Sequence, residues 1–434
     1  MSISSFEDSR FRGIMIKSDV KQAVIFCGGI GTRLRPLTYE IPKPMAPING
    51  RPFLEYLILQ LKDNGISEIL LLTGYKKEVI ERYFGDGVKW GVKITYSHGE
   101  TSWETAKRLY EVRNLLRDQF LLMYADNFCT LNLSKLVDYH TLKGSIGTIT
   151  LFHREEKNNI LIDDSGQVLE YDKERKIPHL QYVELGYMIA TSKVLNFVDG
   201  SNVSFSEVIK KLTEEGELYG FVNPDQYYSI SDMERLKLTE EYLKEKKIII
   251  IDRDGVINIK AKKGEYITKW EDFRFVPGVL GFMEEMSKKG FSFIIVTNQA
   301  GISRGKLTPE DLEKIHDKML EVMNAQDIRV LKIYCCPHHW EENCFCRKPN
   351  PGMFLQASKD FKFRLDHSYF IGDDERDSLA AYNSNCRSIM YSENYDKDYL
   401  NKYKLEHGCW PELFANEFNE VKEYLLKEEL KEKR

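Results

Sequence analysis

The stretch Ile248–Asn258, reading IIIIDRDGVIN, constrains this chain more than any other. Four β-branched residues in a row suit a buried parallel strand and are too few for a helix. The run stops abruptly at Asp252-Arg253-Asp254-Gly255. In open α/β sheets, ligands bind just past the carboxyl ends of strands, so both carboxylates fall where chemistry is done. One can attack a phosphorus atom and bind a metal, while the other handles the proton. A plain surface turn would use the same residue types. Against that, later parts of the chain supply a hydroxyl, a cation and further carboxylates at strand ends.

The segment lies past the middle of 434 residues, so a complete domain fits before it. Hydrophobic residues make up 42% and charged residues 30%, as in soluble globular proteins. A net charge of -5 offers no basic footprint for nucleic acid. The stretch MSISSFEDSRFRG has no apolar core and is not expected to act as a signal peptide. No apolar run approaches the length of a membrane span. The expected partners are therefore small-molecule substrates rather than nucleic acid or membrane, with homo-oligomerisation left open. Of eight cysteines, Cys335, Cys336, Cys344 and Cys346 crowd together, which without an export signal suggests metal ligation in a reducing cytoplasm. The Lys/Glu-rich end, Leu425–Arg434, is expected to be a fraying, solvated helix.

In the first half, Gln22–Cys27 reads as a strand leading into Gly28-Gly29-Ile30-Gly31-Thr32-Arg33. Three glycines let the backbone approach a ligand and aim N–H groups at phosphate oxygens. Arg33 can hold a polyphosphate bidentately, and Lys43, fixed between prolines, adds a second cation. Alternating segments follow: helix Phe53–Asn64, strand Glu68–Thr73, helix Lys77–Phe84, strand Lys93–Ser97 and strand Phe120–Tyr124, which ends at Asp126. The loop resembles the signature of the sugar-1-phosphate nucleotidyltransferases, which join a sugar 1-phosphate to a nucleoside triphosphate and release pyrophosphate. The resemblance implies that Gly28, Gly29, Gly31, Thr32, Arg33 and Thr105 bind the nucleotide, with Arg33 and Lys43 catalytic. It assigns Asp126 to Mg²⁺, and Lys173 and Glu184 to the sugar phosphate. Two departures stand out. The segment Glu100–Arg108 keeps only Thr105 and Ala106 of the usual base-reading sequence, and Thr105–Leu109 resembles the cytidylyltransferase branch. Ser229 stands where the family has a second metal carboxylate, leaving Asp225, Asp232 or a single-metal site as alternatives.

In the second half, strand ends carry Asp252 and Asp254, then Thr297-Asn298, then Arg347-Lys348, then Asp373 and Asp377. A long helix, Pro309–Asn324, is expected to bury Leu312, Ile315, Met319 and Val322. This order resembles the haloacid dehalogenase phosphatases. The resemblance makes Asp252 the nucleophile and Asp254 the acid and base. It gives Mg²⁺ to Asp252, the Asp254 carbonyl and Asp373, and the phosphate to Thr297, Asn298, Arg347 and Lys348, with Asp377 supporting. Cys336, His338, Cys344 and Cys346 form a closed donor set for structural Zn²⁺. Cys335 and His339 compete for two of those places. The Cys-Pro-His pattern is similar to the zinc loop of heptose-bisphosphate and histidinol-phosphate phosphatases.

The expected fold is α/β, with two doubly wound domains. Residues 1–245 would form a Rossmann-like, glycosyltransferase-A-like nucleotidyltransferase, and 246–434 a haloacid dehalogenase-like phosphatase without a large cap. The expected function is bifunctional. The phosphatase removes the 7-phosphate of a heptose 1,7-bisphosphate, and the transferase activates the heptose 1-phosphate, with GTP favoured. A cytidylyltransferase joined to a phosphatase for another sugar or polyol phosphate is the first alternative. A regulatory nucleotide-sugar sensor with a decayed transferase half is the second.

Overall fold

The computed structural model describes residues 20–262, 264–392 and 410–432. The N-terminal stretch weighed above as a signal peptide lies outside them, as do the last two residues of the Lys/Glu-rich end. The described chain divides between Lys244 and Glu245 into two compact units, each with its own sheet.

The first unit runs β1 (Gln22–Cys27), β2 (Pro47–Ile48), β3 (Arg51–Pro52), α1 (Phe53–Asp63), β4 (Glu68–Thr73), α2 (Lys77–Phe84) and β5 (Lys93–His98). It continues through α3 (Thr105–Glu111), β6 (Gln119–Tyr124), β7 (Asn127–Cys129), α4 (Leu133–Lys143), β8 (Gly147–His153), β9 (Ile160–Ile162) and β10 (Val168–Tyr171). The last elements are β11 (Tyr182–Thr191), α5 (Phe205–Glu214), β12 (Leu218–Val222), β13 (Tyr227–Ser229) and α6 (Met233–Leu243). Strands β5, β4, β1 and β6 lie side by side and parallel, and β11 joins β6 antiparallel. Every residue of β1 is buried. Ile25 packs into a core shared with α1 and α2, and Val24 into one shared with α3 and α5. Burial on both faces explains why this strand reads as a continuous apolar run. Strand order turns at β1, with β4 on one side and β6 on the other, so the glycine loop leaves the sheet at its switch point.

The second unit runs β14 (Ile248–Ile251), α7 (Val279–Lys288), β15 (Ser292–Asn298), α8 (Pro309–Asn324), β16 (Val330–Cys336) and α9 (Gly352–Phe361). Then come β17 (Tyr369–Gly372), α10 (Glu375–Asn383), β18 (Arg387–Tyr391), β19 (Leu413–Ala415) and α11 (Phe418–Glu432). All six strands are parallel, in the order β16-β15-β14-β17-β18-β19. The four isoleucines of β14 alternate between two cores: Ile249 and Ile251 face α7, α8 and α11, while Ile248 and Ile250 face α9 and α10. Strand order again turns at the strand that ends in the two carboxylates. Between β14 and α7 the described residues form a loop with one 3-10 turn, Trp270–Asp272, and no inserted cap domain.

Helix α6 stops at Leu243, the last apolar side chain that reaches the first core. Two helical expectations need correction. In α8 the buried face is Leu312, Ile315, Met319 and Met323, not Val322, because the stripe follows the helical pitch one residue further round. Leu425 is no fraying residue: α11 starts at Phe418 and buries Phe418, Val421 and Leu425 against α7. The charged composition masked that i, i+3, i+7 stripe.

Candidate active sites

In the first unit, β1 delivers the chain into a cleft of about 460 Å³. Gly28, Gly29, Gly31, Thr32, Arg33, Lys43, Thr105 and Asp126 all line it. Gly31 has φ +70°, and a Cβ there would come within 2.8 Å of the Lys43 Cβ. Only glycine meets both conditions. Thr38 Oγ1 donates to the Gly31 carbonyl at 2.9 Å, which fixes the loop. Asp126 stands just past β6, beside β1, and its Oδ2 lies 2.6 Å from Lys43 Nζ. The two groups expected to act on the triphosphate therefore neutralise each other at rest.

One lining residue escaped the sequence reading. Arg108 is 4% exposed, and its guanidinium donates to the carbonyls of Thr73 at 2.7 Å, Glu100 at 2.6 Å and Trp103 at 3.1 Å. Burial lowers its basicity below the usual range. A Cβ on Gly28 would lie 2.3 Å from its Cζ, so Gly28 is glycine partly to make room for an arginine 80 positions away.

The expected sugar wall is only partly assembled. Glu184 lies on β11, where burial pushes its carboxyl up to about 7 against the field of Arg175. Lys173 is exposed, and Arg175 is the cation whose field reaches Glu184. Neither Lys173 nor Glu184 lines the described cleft. Asp225 is buried and accepts from Thr130 Oγ1 at 2.5 Å, while Asp232 caps α6 by accepting from the Arg235 N–H at 2.9 Å. Neither lines the cleft. Pairing of Ser229 with Asn127, and a bond from the Ile230 N–H to the Asp126 carbonyl, set Ser231 on the wall instead. Among the described lining residues, the carboxylates are Asp126 and Glu104.

In the second unit, the ends of β14, β15 and β17 and the turn before α9 surround a hollow of about 120 Å³. Lys348 is 3% exposed at its side chain, with Nζ 2.8 Å from Asp252 Oδ2 and 2.8 Å from Asp377 Oδ1. Burial works against the Lys348 ammonium, but the fields of Asp252 and Asp377 outweigh it and hold it above its usual range. Burial pushes the Asp252 carboxyl well up, opposed by Lys348. Asp254 behaves oppositely. Burial would raise it, yet Arg253 and the donors Asn258 Nδ2 at 3.0 Å and Gln299 Nε2 at 2.6 Å hold it below the usual range. One strand end thus carries a dry carboxylate beside a cation and a second carboxylate in a net of donors.

Oxygens of Asp252, Asp373 and Asp377 lie within 4.8 Å of one another. Asp373 Oδ1 is buried and has no hydrogen-bond partner among the described residues, and burial pushes that carboxyl up to about 6. Three converging oxygens with an unsatisfied one among them fit a hard divalent cation such as Mg²⁺, which would screen negative charge around a phosphoryl group. The carboxylate gathered with Asp252 and Asp373 is Asp377, since the Asp254 side chain is taken up by Arg253, Asn258 and Gln299. Gly255, at φ +98°, admits Asp373: a Cβ there would sit 2.3 Å from its Oδ2. Thr297 and Arg347 line the hollow. Asn298 also lines it, but its amide grips the Lys348 main chain, accepting from N–H and donating to the carbonyl at 3.1 Å each. Asn298 therefore positions Lys348. Gln299 and Lys260 were missed by the sequence reading, although Gln299 sits one residue past the Thr-Asn pair.

Beside the hollow, Cys336, His338, Cys344 and Cys346 come together. The Cys336–Cys344 and Cys344–Cys346 sulfurs are 3.5 Å apart, and His338 Nδ1 is 3.6 Å from Cys336 Sγ and 3.2 Å from Cys346 Sγ. Disulfide sulfurs would be about 2.05 Å apart. Edges of a Zn–S tetrahedron are about 3.8 Å, from bonds of about 2.3 Å, so four donors at these spacings fit a tetrahedral metal. Cys335 is not in the group, and His339 instead caps the turn Trp340–Glu342 and packs on the Trp340 ring at 3.6 Å.

Two α/β units, one on a mixed and one on a parallel sheet and each with cations and carboxylates at its switch point, define an α/β nucleotidyltransferase followed by a haloacid dehalogenase-like phosphatase. Residues 22–273 match the family described as Nucleotidyl transferase, and residues 247–414 that described as Polynucleotide kinase 3 phosphatase. The chain belongs to the nucleotidyl transferase family and carries a heptose-bisphosphate phosphatase-like domain after it. It is 38% identical over 160 residues, 36% of this chain and 90% of the relative, to the D-glycero-alpha-D-manno-heptose-1,7-bisphosphate 7-phosphatase of Campylobacter jejuni. It is 29% identical over 245 residues, 50% of this chain and 95% of the relative, to the probable glucose-1-phosphate cytidylyltransferase of Bacillus subtilis. The crystal structure of the D,D-heptose 1,7-bisphosphate phosphatase of B. bronchiseptica with magnesium and phosphate aligns at 29% identity and a TM-score of 0.38, over 42% of this chain and 99% of that one. Among the described residues, no helix is long and apolar enough to cross a membrane.

Proposed function

We propose that this chain carries out two successive steps of nucleotide-activated heptose synthesis. The unit after Lys244 removes the 7-phosphate of a heptose 1,7-bisphosphate, and the unit before it joins the heptose 1-phosphate to a nucleotidyl group with release of pyrophosphate. The observation that carries this reading is the presence, in one chain, of two sites that share no residue, each with its own cation and carboxylates. The heptose comes from the likeness to the 7-phosphatases, whose names divide between the alpha and beta anomers.

In the phosphatase, Asp252 Oδ attacks phosphorus, the bond to the sugar oxygen breaks, and an aspartyl-phosphate forms. Asp254 gives the leaving oxygen a proton and then takes one from the water that releases phosphate. The donors around Asp254 favour the second of these roles. Thr297, Arg347 and Lys348 hold the phosphoryl oxygens, Mg²⁺ would rest on Asp252, Asp373 and Asp377, and structural Zn²⁺ on the Cys/His group. In the transferase, the glycine loop and Arg33 hold the triphosphate. Asp126 would hold Mg²⁺, which would supply charge neutralisation among the phosphates, and Lys43 would then be available to the phosphates.

GTP is the donor favoured by the resemblance. CTP is the second reading, favoured by the similarity to a probable glucose-1-phosphate cytidylyltransferase and by the segment Thr105–Leu109. Four nucleoside triphosphates, tried against both anomers of heptose 1-phosphate with pyrophosphate as readout, separate these readings. No pyrophosphate from any pair leaves the sensor alternative standing. Asp252→Asn should abolish phosphate release from the bisphosphate yet keep nucleotide-sugar formation from ready-made 1-phosphate, and Arg33→Ala should do the reverse. Loss of both activities in a folded Asp252→Asn protein would defeat the two-enzyme reading.

A further inference from the structure

Gln299 stands one residue beyond the end of β15 and is 2% exposed. It is not among the residues that line the hollow of the second unit, although Thr297 and Asp254 both are. Its main chain is pinned on two sides. The Gln299 N–H donates to the Cys336 carbonyl at 2.7 Å, and the Gln299 carbonyl accepts from the Ile302 N–H at 3.2 Å. A buried primary amide carries two hydrogens, and an unpaired buried donor is costly. Here one nitrogen serves two groups of the site: Nε2 lies 2.6 Å from Asp254 Oδ2 and 2.9 Å from Thr297 Oγ1.

The direction of both bonds follows from the partners. Arg253 Nη2 holds the same Asp254 oxygen at 2.9 Å, and Asn258 Nδ2 holds the other at 3.0 Å, so this carboxylate is an acceptor. The end of the amide turned to it is therefore the NH₂, which has one hydrogen left for Thr297. A hydroxyl that accepts from the amide keeps its own hydrogen to give elsewhere. Among the described residues, none takes that hydrogen from Thr297 Oγ1. Thr297 lines the hollow, so the hydrogen is free for a phosphoryl oxygen.

We propose that Gln299 is a positioning residue for two groups at once. One amide hydrogen holds the Asp254 carboxyl where it meets the leaving oxygen and then the attacking water. The other turns the Thr297 hydroxyl towards the phosphoryl group. This rests on the reading of the second unit as a phosphatase that works through Asp252 and Asp254. Gln299 does not reach the hollow, so its effect belongs to the reaction more than to substrate binding.

The test reads kcat and KM for phosphate release from heptose 1,7-bisphosphate, at saturating Mg²⁺, in the full chain. Gln299→Met removes both hydrogens at similar length. It should lower kcat roughly hundredfold with KM moved by less than about threefold, since each of the two misplaced groups costs roughly tenfold. In a Thr297→Val background there is no hydroxyl to orient, so the same change should cost only the Asp254 share, roughly tenfold. Gln299→Glu keeps the shape but turns oxygens on both partners, and its kcat should fall at least as far. One variant is uncharged and the other isosteric, so neither a buried charge nor a packing defect accounts for both losses. A kcat within about threefold of the parent in either variant overturns the proposal. So does a loss carried by KM alone, which would put Gln299 on the substrate, and so does an equal loss with and without the Thr297 hydroxyl. A parent that releases no phosphate from the bisphosphate defeats the phosphatase reading itself, before any variant is compared.

Discussion

Removing the Lys348 ammonium should expose how the second site balances its charges. Lys348→Met keeps the length of the side chain and deletes one charge that lies 2.8 Å from both Asp252 and Asp377. Neither carboxylate has a solvent route to relief: Asp252 is 7% exposed and Asp377 4%. Breaking a buried pair by removing one partner costs about 3–5 kcal/mol, because a buried charge is left unpaired. Protonation caps that cost, since Asp252 is already pushed up by burial and moves further up once Lys348 is gone. The sign follows. A carboxyl raised in the folded state binds more protons folded than unfolded, so its penalty is full above the folded pKa and fades as pH falls. Thermal unfolding at pH 8 with chelator should therefore show the second unit melting about 6–20 °C lower in the variant, at about 2–4 °C per kcal/mol for a domain of this size. The gap should narrow at pH 5. Saturating Mg²⁺ should also narrow it, by restoring a cation beside Asp252. Phosphate release should fall by about 10²–10³, the usual loss for one preorganised donor to phosphoryl oxygens. Parent and variant melting together at pH 8 without Mg²⁺ would refute the charge argument.

Two further outcomes follow from the geometry. Cys344→Ser takes one donor from the tetrahedral group, so purified protein should lose its zinc and the second unit should melt lower; a zinc-free parent, or a variant that melts like it, counts against a structural metal. In the first unit, burial pulls the His140 pKa from 6.5 down to about 4, and its Nδ1 is 2.8 Å from Thr148 Oγ1. The unfolded chain then binds the extra proton, so stability should fall as pH drops from about 6.5 towards 4, by on the order of 3 kcal/mol, and His140→Gln should flatten that slope in denaturant titrations.

What the sequence made legible was what lies close together along it. The glycine loop, Lys43, the Asp252/Asp254 pair and the Cys-Pro-His loop are each contiguous, and the end of a buried strand told where each would stand. The α/β fold followed from the same runs, because strands buried on both faces read as unbroken apolar segments. What stayed hidden depends on distance along the chain. Asp373 meets Lys260 across 113 positions, and Arg108 reaches the Thr73 carbonyl across 35. No local pattern encodes either meeting. Lys173 was assigned to the sugar phosphate by resemblance, and Arg175 was not weighed. The chain turns after Tyr171, tied by the Asp172 carboxylate, which accepts N–H groups from Glu174, Lys176 and Ile177. Gly28 sharpens the point. Its identity suits a phosphate motif, while a second reason for it, the Arg108 guanidinium that fills the space of a side chain, appears only in the fold. A substitution there would therefore disturb the cleft even with no nucleotide bound, and a motif residue can answer to packing and to ligand at once.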